Sequence, residues 1–359
     1  MMTLMMFIGG LALLVAGAEA LVRGAGKLAI SVGVSPLVVG LTVVAFGTSS
    51  PEMAVSVQSA MAGKVDIAIG NVVGSNIFNV LFILGVCALI APLMINRQII
   101  RQEVPIMIGA SLLLVGFMFD GAINRVEAII MFVLLVAYTV FLVVQSRRES
   151  KASQAEGADD IDMSSTWDRH WGVQIVLVIV GLVLLVQGSN WFVEAAIIVA
   201  KAMGVSELVI GLTIVAAGTS MPEVATSIMA TIRGHRDIAV GNVIGSNTFN
   251  ILGVLGLTGI VAPTSLAVAP SILSFDMWVM LAVAVACLPV FFTGRQIARW
   301  EGGVFLGYYA AYTAYLILMS QEHDALPMLS NVMLWFVVPI TVITIIASLM
   351  KSKNAAPGS

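Results

Sequence analysis

The sequence predicts an all-α polytopic membrane protein made of two five-helix repeats of inverted topology, with an eleventh helix after them. Three observations predict it. The chain is 59% hydrophobic and only 10% charged, with a mean hydropathy of +1.04, where a soluble domain carries about 25% charged residues. Apolar runs long enough to span a bilayer recur along its whole length. A stretch from Gly40 to Gly85 returns from Gly211 to Gly256 at a constant offset of 171, with 27 of 46 positions identical. The identities fall on glycines and polar residues, so shared apolar composition does not explain them.

Taken in order, spans are expected at roughly 2–22, 36–62, 67–91, 104–119 and 127–145, then 172–194, 206–232, 238–262, 275–292 and 303–320, and a last run at 331–350. The first repeat therefore occupies 1–145, a linker 146–171, the second repeat 172–320, and an extra helix with a polar tail 321–359. The N-terminal MMTLMMFIGG has no basic leader and reads as the start of the first span. The linker is rich in Ser, Asp, Glu, Lys and Arg, which suits a polar tether on the cytoplasmic side. Cys87 and Cys287 lie in apolar segments and suggest neither a disulfide framework nor a thiolate metal site. The formal net charge of −3 is spread over loops and marks no nucleic-acid or protein partner.

Lys and Arg set the orientation. With the N-terminus outside, 14 basic residues fall on the inner side and only Lys64, Arg125 and Lys201 on the outer. Five spans per copy is an odd number, so the second copy enters the membrane from the opposite side. Inverted repeats of this kind place substrate near the bilayer midplane, at the repeat interface, in many secondary transporters.

Two motifs carry the chemistry. In Gly47-Thr48-Ser49-Ser50-Pro51-Glu52, Pro51 has no N–H to give to the Gly47 carbonyl, so the span should kink there and loosen its carbonyls. Gly218, Thr219, Ser220, Pro222 and Glu223 repeat it. In the second motif Asn71, Ser75 and Asn79 recur every four residues and form a polar stripe, while Gly70 and Gly74 offer a small face to another helix. Asn242, Ser246, Asn250, Gly241 and Gly245 are its second copy. A lone Ser or Thr in a spanning helix usually bonds its own backbone, and Asp66 and Asp237 are expected as helix caps. Glu19 and Arg23 read as a surface pair. Glu52 and Glu223 are different. A carboxylate at the bilayer centre costs about 2.5–3.5 kcal/mol on insertion scales, and no Lys, Arg or His sits mid-span to offset either one. With the neighbouring hydroxyls and amides they form a set of hard oxygen donors that suits Na⁺ or Ca²⁺ and does not suit zinc or copper.

These motifs, G-T-S-x-P-E and G-N-x-x-G-S-N, each present twice, resemble those of the calcium/cation antiporter superfamily and, within it, the prokaryotic sodium/calcium exchangers. The resemblance implies a ten-helix core, exchange of Na⁺ for Ca²⁺ by alternating access in a prokaryotic inner membrane, and no cofactor or catalytic residue. It implies ligands at Thr48, Ser49, Glu52, Ser75 and Asn79, and at Thr219, Ser220, Glu223, Ser246 and Asn250, with the carbonyls of Ala45 and Ala216. It also implies that the first and sixth spans slide as a gate. Some members carry Asp where this chain has Asn79 or Asn250, so only two formal negative charges remain here. Proton-coupled relatives place an acid in the stretch after G-N, where this chain has Val73 and Ile244. Three other readings are a potassium-dependent exchanger, a channel, and an intramembrane hydrolase using Ser49 or Ser220. The hydrolase lacks a base, because His170, His235 and His323 all fall in loops.

Overall fold

The computed structural model describes residues 2–153, 170–203, 216–344 and 346. The helices are α1 (Met2–Val32), α2 (Pro36–Thr48), α3 (Ser50–Met61), α4 (Val65–Ile90), α5 (Ile99–Met118), α6 (Arg125–Ser153), α7 (Trp171–Ala202), α8 (Ala216–Thr219), α9 (Met221–Ile232), α10 (Arg236–Val261), α11 (Ile272–Phe292), α12 (Arg299–Ser320) and α13 (Leu326–Thr344). Among the described residues nine helices are long and apolar enough to cross a membrane, and the bent pair α2–α3 makes a tenth. The remaining expected span, 206–232, is represented by α8 and α9, and its first part, 206–215, lies outside the described residues, as do most of the linker and the tail.

Several helices outrun the expected limits. At 31 residues α1 reaches about 46 Å at 1.5 Å per residue, longer than a bilayer core of about 30 Å, and it carries Arg23 and Lys27 beyond the expected limit. The fifth span continues as helix to Ser153, well into the stretch read as a tether. The fourth begins at Ile99 rather than 104, because the polar Arg101-Gln102-Glu103 step is folded into a π-helical turn, Ile99–Glu103, whose carboxylate is satisfied inside the protein. The last run starts at Leu326, with Pro327 in its first turn, where a missing N–H costs nothing. Asp66 and Asp237 do not cap. Lys64 and His235 hold the cap positions, and the two acids sit in the first turn, where the helix dipole favours negative charge.

Helices α4 and α10 form the centre, with 72% and 89% of their apolar windows buried against 22% for α6 and 33% for α1. Helices α1 and α7 lie antiparallel outside them and touch backbone to backbone. A Cβ on Gly17 would lie 2.8 Å from the Gly181 carbonyl oxygen, and one on Gly181 would lie 2.8 Å from that of Gly17. Gly10 meets Gly188, and Gly24 meets Gln174, in the same way. Small residues at this spacing let two membrane helices approach closely. Since α1 opens the first sequence repeat and α7 the second, their antiparallel run is the inversion that an odd span count requires.

Short strands tie the loops across copies. β1 (Leu93–Met94) pairs antiparallel with β4 (Gln296–Ile297), and β2 (Ala122–Ile123) with β3 (Leu266–Ala267). Arg233 Nε donates to Glu19 Oε2 at 2.8 Å, Ser35 N to Ser146 Oγ at 2.9 Å, and Arg125 Nη2 to the Ala262 carbonyl at 2.8 Å. Each of these contacts joins ends that simple alternation of spans puts on one side. Both cysteines are free and buried.

Candidate cation site

The two motif strands reach the centre through a break in each. Ser49, with φ −81° and ψ 8°, ends α2, and α3 restarts at a 43° bend with Pro51 in its first turn. Ser220, with φ −86° and ψ 9°, does the same ahead of α9 and Pro222. Glu52 and Glu223 therefore lie in first helical turns, where free N–H groups and the dipole favour a carboxylate. The break falls inside the expected motif, between Gly47 and Pro51. The Ala45 carbonyl still accepts from Ser49 N at 3.0 Å and from Thr48 Oγ1 at 3.4 Å, so it is not freed. Ala216 opens α8. Gly47 and Gly218 serve close approach instead of loosening. A Cβ there would lie 2.5 Å from Leu182 and 2.6 Å from Val193, both on α7.

The carboxylates are held crosswise. Ser49 Oγ donates to Glu223 Oε1 at 3.0 Å, and Ser220 Oγ donates to Glu52 Oε1 at 2.8 Å and lies 3.2 Å from Ser75 Oγ. Thr48 Oγ1 donates to Asn242 Oδ1 at 3.1 Å, and Thr219 Oγ1 to Asn71 Oδ1 at 3.3 Å. The Asn71 and Asn242 amides in turn donate to Ser56 and Ser227, both at 3.0 Å. Other hydroxyls behave as isolated ones should: Thr42, Ser50, Ser111, Thr139 and Thr231 each bond a carbonyl four residues back. The Thr48, Ser49, Thr219 and Ser220 hydroxyls instead reach the opposite copy.

What remains is a set of oxygens without partners. Glu52 Oε2, Glu223 Oε2, Asn79 Oδ1, Asn250 Oδ1 and Ser246 Oγ are all buried and hydrogen-bond to nothing among the described residues. Natural interiors seldom leave such atoms unmet, and an unpaired buried charge is the costliest case. The structure thus brings Thr48, Ser49, Glu52, Ser75, Thr219, Ser220 and Glu223 into one crossed network, while Asn79 and Asn250 meet in a second through Asn76 and Asn247. No group of three or more His, Cys, Asp or Glu occurs among the described residues, so the donor set is two carboxylates and neutral oxygens. Gly241 and Gly245 take the close approach read for them, from Leu37 and Leu41. The equivalent partners of Gly70 and Gly74 fall at 208 and 212, outside the described residues.

The family described as sodium/calcium exchanger protein matches residues 2–144 and 173–318. The chain belongs to the sodium/calcium exchanger family. It is 33% identical over 306 residues to the sodium/calcium exchanger MaX1 of Methanosarcina acetivorans, covering 77% of this chain and 87% of that one. It is 34% identical over 284 residues to the inner membrane protein YrbG of Escherichia coli K12, covering 78% and 86%. Its fold resembles the solved sodium-calcium exchanger NCX_Mj with a TM-score of 0.73 at 28% identity, covering 89% of this chain and 98% of that one. This exchanger-family chain is accordingly an integral membrane cation antiporter and not an enzyme; in this family Na⁺ and Ca²⁺ are cargo, with no cofactor. The family match ends at 318, so α13 lies beyond it.

Asn76 and Asn247 close the two G-N-x-x-G-S-N motifs but were given no role from sequence, and the pair Glu103–Tyr138 was not singled out. The two asparagines were findable, since both are identical at the 171 offset. Glu103 has its counterpart in Asp276, whose Oδ1 accepts from Tyr312 at 2.8 Å as Glu103 Oε2 accepts from Tyr138 at 2.6 Å. The residue types differ and the register has slipped past 171, which hid the relation.

Proposed function

We infer that the chain exchanges Na⁺ for Ca²⁺ by alternating access, with the cation held near the bilayer midplane between the two repeats. The observation that carries this reading is the state of the two carboxylates. One oxygen of each is taken by the other copy's serine, and the second is buried and unmet. A divalent ion bridging Glu52 Oε2 and Glu223 Oε2 would balance both charges, and Ser246 Oγ, Asn79 Oδ1 and Asn250 Oδ1 would complete an oxygen shell of the size Ca²⁺ takes. Thr48, Ser49, Ser75, Thr219 and Ser220 would then shape the site, with Ala45 and Ala216 at its edge. MaX1 bears the name of a sodium/calcium exchanger, which agrees with the coupling ion chosen here.

In this reading residues 1–145 and 172–320 are the two halves, the 146–171 linker faces the cytoplasm, and the N-terminus lies outside an inner membrane. The charge asymmetry supports that orientation, and the name of YrbG supports the membrane. The glycine seam between α1 and α7 gives the two helices a common body that could move as one across α4 and α10. Val73 and Ile244 are fully buried and apolar, so the proton-coupled alternative has no acid where it would need one. The test is ⁴⁵Ca²⁺ uptake into sealed vesicles with and without an opposing sodium gradient. Uptake that ignores sodium would overturn the reading.

A further inference from the structure

Four asparagines lie between α4 and α10, two from each repeat, and every one is buried. Asn79 Nδ2 donates to Asn247 Oδ1 at 3.0 Å, and Asn250 Nδ2 to Asn76 Oδ1 at 3.1 Å. Asn76 Nδ2 donates to the Asn247 main-chain carbonyl at 3.3 Å and faces Met280 Sδ at 3.7 Å. Asn247 Nδ2 donates to the Asn76 carbonyl at 3.2 Å and faces Met107 Sδ at 3.7 Å. We propose that Asn76 and Asn247 are positioning residues that force the Asn79 and Asn250 amides to present oxygen, and never nitrogen, to the transported cation.

An asparagine amide is nearly symmetric in shape, with an acceptor on one side and donors on the other. Nothing in the shape of Asn79 decides which side faces the site. The decision is made one residue away. The amide nitrogen of Asn247 faces a carbonyl and a thioether, neither of which can donate, so Asn247 cannot turn its oxygen that way without setting acceptor against acceptor. Its oxygen must therefore face Asn79, and Asn79 must answer with its N–H₂. That leaves Asn79 Oδ1 on the other side, where it is buried and unbonded. A flipped Asn79 would meet Asn247 oxygen to oxygen and point two N–H bonds at a cation. The same chain of constraint runs from the Asn247 carbonyl through Asn76 to Asn250 Oδ1, also buried and unbonded.

The main chain anchors each relay. Asn79 and Asn250 begin π-helical turns, Asn79–Leu84 and Asn250–Leu255, and the Asn79 N–H is shared between the Ser75 and Asn76 carbonyls. Both asparagines thus stand where α winding passes to π winding, and π turns are frequent at functional sites. A site with Asp in place of Asn79 would not need the relay, because a carboxylate has oxygen on both sides. In this chain, with two neutral amides, the relay supplies by orientation what a third charge would otherwise supply.

The proposal rests on the reading that Asn79 and Asn250 bind the cargo, and the experiment separates the two. Half-saturating Ca²⁺ is measured by ⁴⁵Ca²⁺ flux in proteoliposomes for Asn79→Ala, Asn79→Asp, Asn247→Ala and the double variant Asn79→Asp/Asn247→Ala. Loss of an orienting partner around a metal ligand typically costs about 10–100-fold in affinity, and Asn247→Ala is expected to raise half-saturation by that much. In the Asn79→Asp background nothing is left to orient, and the carboxylate would meet Asn247 Oδ1 oxygen to oxygen, so adding Asn247→Ala should not raise half-saturation beyond about twofold, the error of additivity, and any change should be a fall. An equal loss in both backgrounds would show that Asn247 only packs the helices and would overturn the proposal, as would no loss in the single variant. If Asn79→Ala itself leaves half-saturation unchanged, the cation-site reading fails first. The mirror cycle, Asn76→Ala with and without Asn250→Asp, gives the same decision should Asn247→Ala not assemble.

Discussion

Ser49 and Glu223, 174 residues apart, are joined by a hydrogen bond of 3.0 Å, and Ser220 returns the same bond to Glu52 at 2.8 Å. Each repeat thus holds the other's carboxylate. The crossing leaves one unpartnered oxygen on each carboxylate, so in the proposed site a cation would be bound by both halves together. Glu52→Gln or Glu223→Gln should abolish calcium exchange in vesicles while the protein still inserts, because each removes one of only two charges. Ser75→Ala or Ser246→Ala should be milder, since a neutral donor is lost and water can take its place. Wild-type flux in both Gln variants would remove the carboxylates from the site.

The α1–α7 seam should be intolerant of any added atom. In Gly17→Ala or Gly181→Ala the new methyl lands 2.8 Å from a carbonyl oxygen of the opposing helix, so the helices must part. Overpacking of this kind costs about 1–3 kcal/mol. Gly303→Ala, with nothing within 4 Å of the new methyl, is the control. Thermal melting followed by size-exclusion chromatography should show a drop for the seam variants and none for the control.

Much of the fold was legible in the sequence because the bilayer imposes a simple code, in which apolar length gives the spans. The two carboxylates and their hydroxyl neighbours could be singled out because the same residues occur twice. Three things were not. The helix limits escaped because polar residues such as Glu103 satisfy one another inside the protein, so polarity did not mark the membrane edge. The state of the Ala45 carbonyl escaped because the helix keeps its bond from Ser49 N past Gly47, and the chain turns only at Ser49. The amide relay escaped because spacing along one helix puts Asn76 off the stripe of Asn71, Ser75 and Asn79, and its partners lie on the other repeat.

Glu103 is a buried carboxylate outside the cation site, and its three donors, Tyr138, Gln98 and Gln102, come from two helices and the turn before them. Tyr138→Phe removes a hydrogen bond to a charged group, worth about 1.5–3 kcal/mol. It should lower thermal stability and leave the calcium half-saturation unchanged. Tyr312→Phe, at the Asp276 equivalent, should do the same. A shift in half-saturation with unchanged melting would place these pairs in the transport path.

Sidedness can be read with cysteines, because Cys87 and Cys287 are buried. In intact cells Lys64→Cys and Arg125→Cys should react with a membrane-impermeant maleimide, and Arg97→Cys should react only after the cells are opened. The reverse pattern would invert the orientation while leaving the helix pairings intact.

The last prediction concerns what drives the exchange. Asn79 and Asn250 are neutral where some relatives carry an acid, and the residues after each G-N, Val73 and Ile244, are buried and apolar. None of these four positions supplies a third acid to carry a proton through the cycle. Protonating Glu52 or Glu223 would still remove one of the two charges a divalent ion needs, so acid should inhibit by competition and raise half-saturating Ca²⁺ without driving uptake. If three Na⁺ exchange for one Ca²⁺, the ratio the family resemblance suggests, each cycle moves one net charge, worth about 2.3 kcal/mol per 100 mV. A clamped potential should then change the sodium-driven rate, and the direction of the change gives the sign of the charge moved. Calcium flux in sealed vesicles under separately imposed sodium, proton and potassium gradients decides the matter. Accumulation driven by a pH gradient alone would replace the sodium-coupled reading with a proton-coupled one, and a requirement for potassium beside sodium would point to co-transport of that ion.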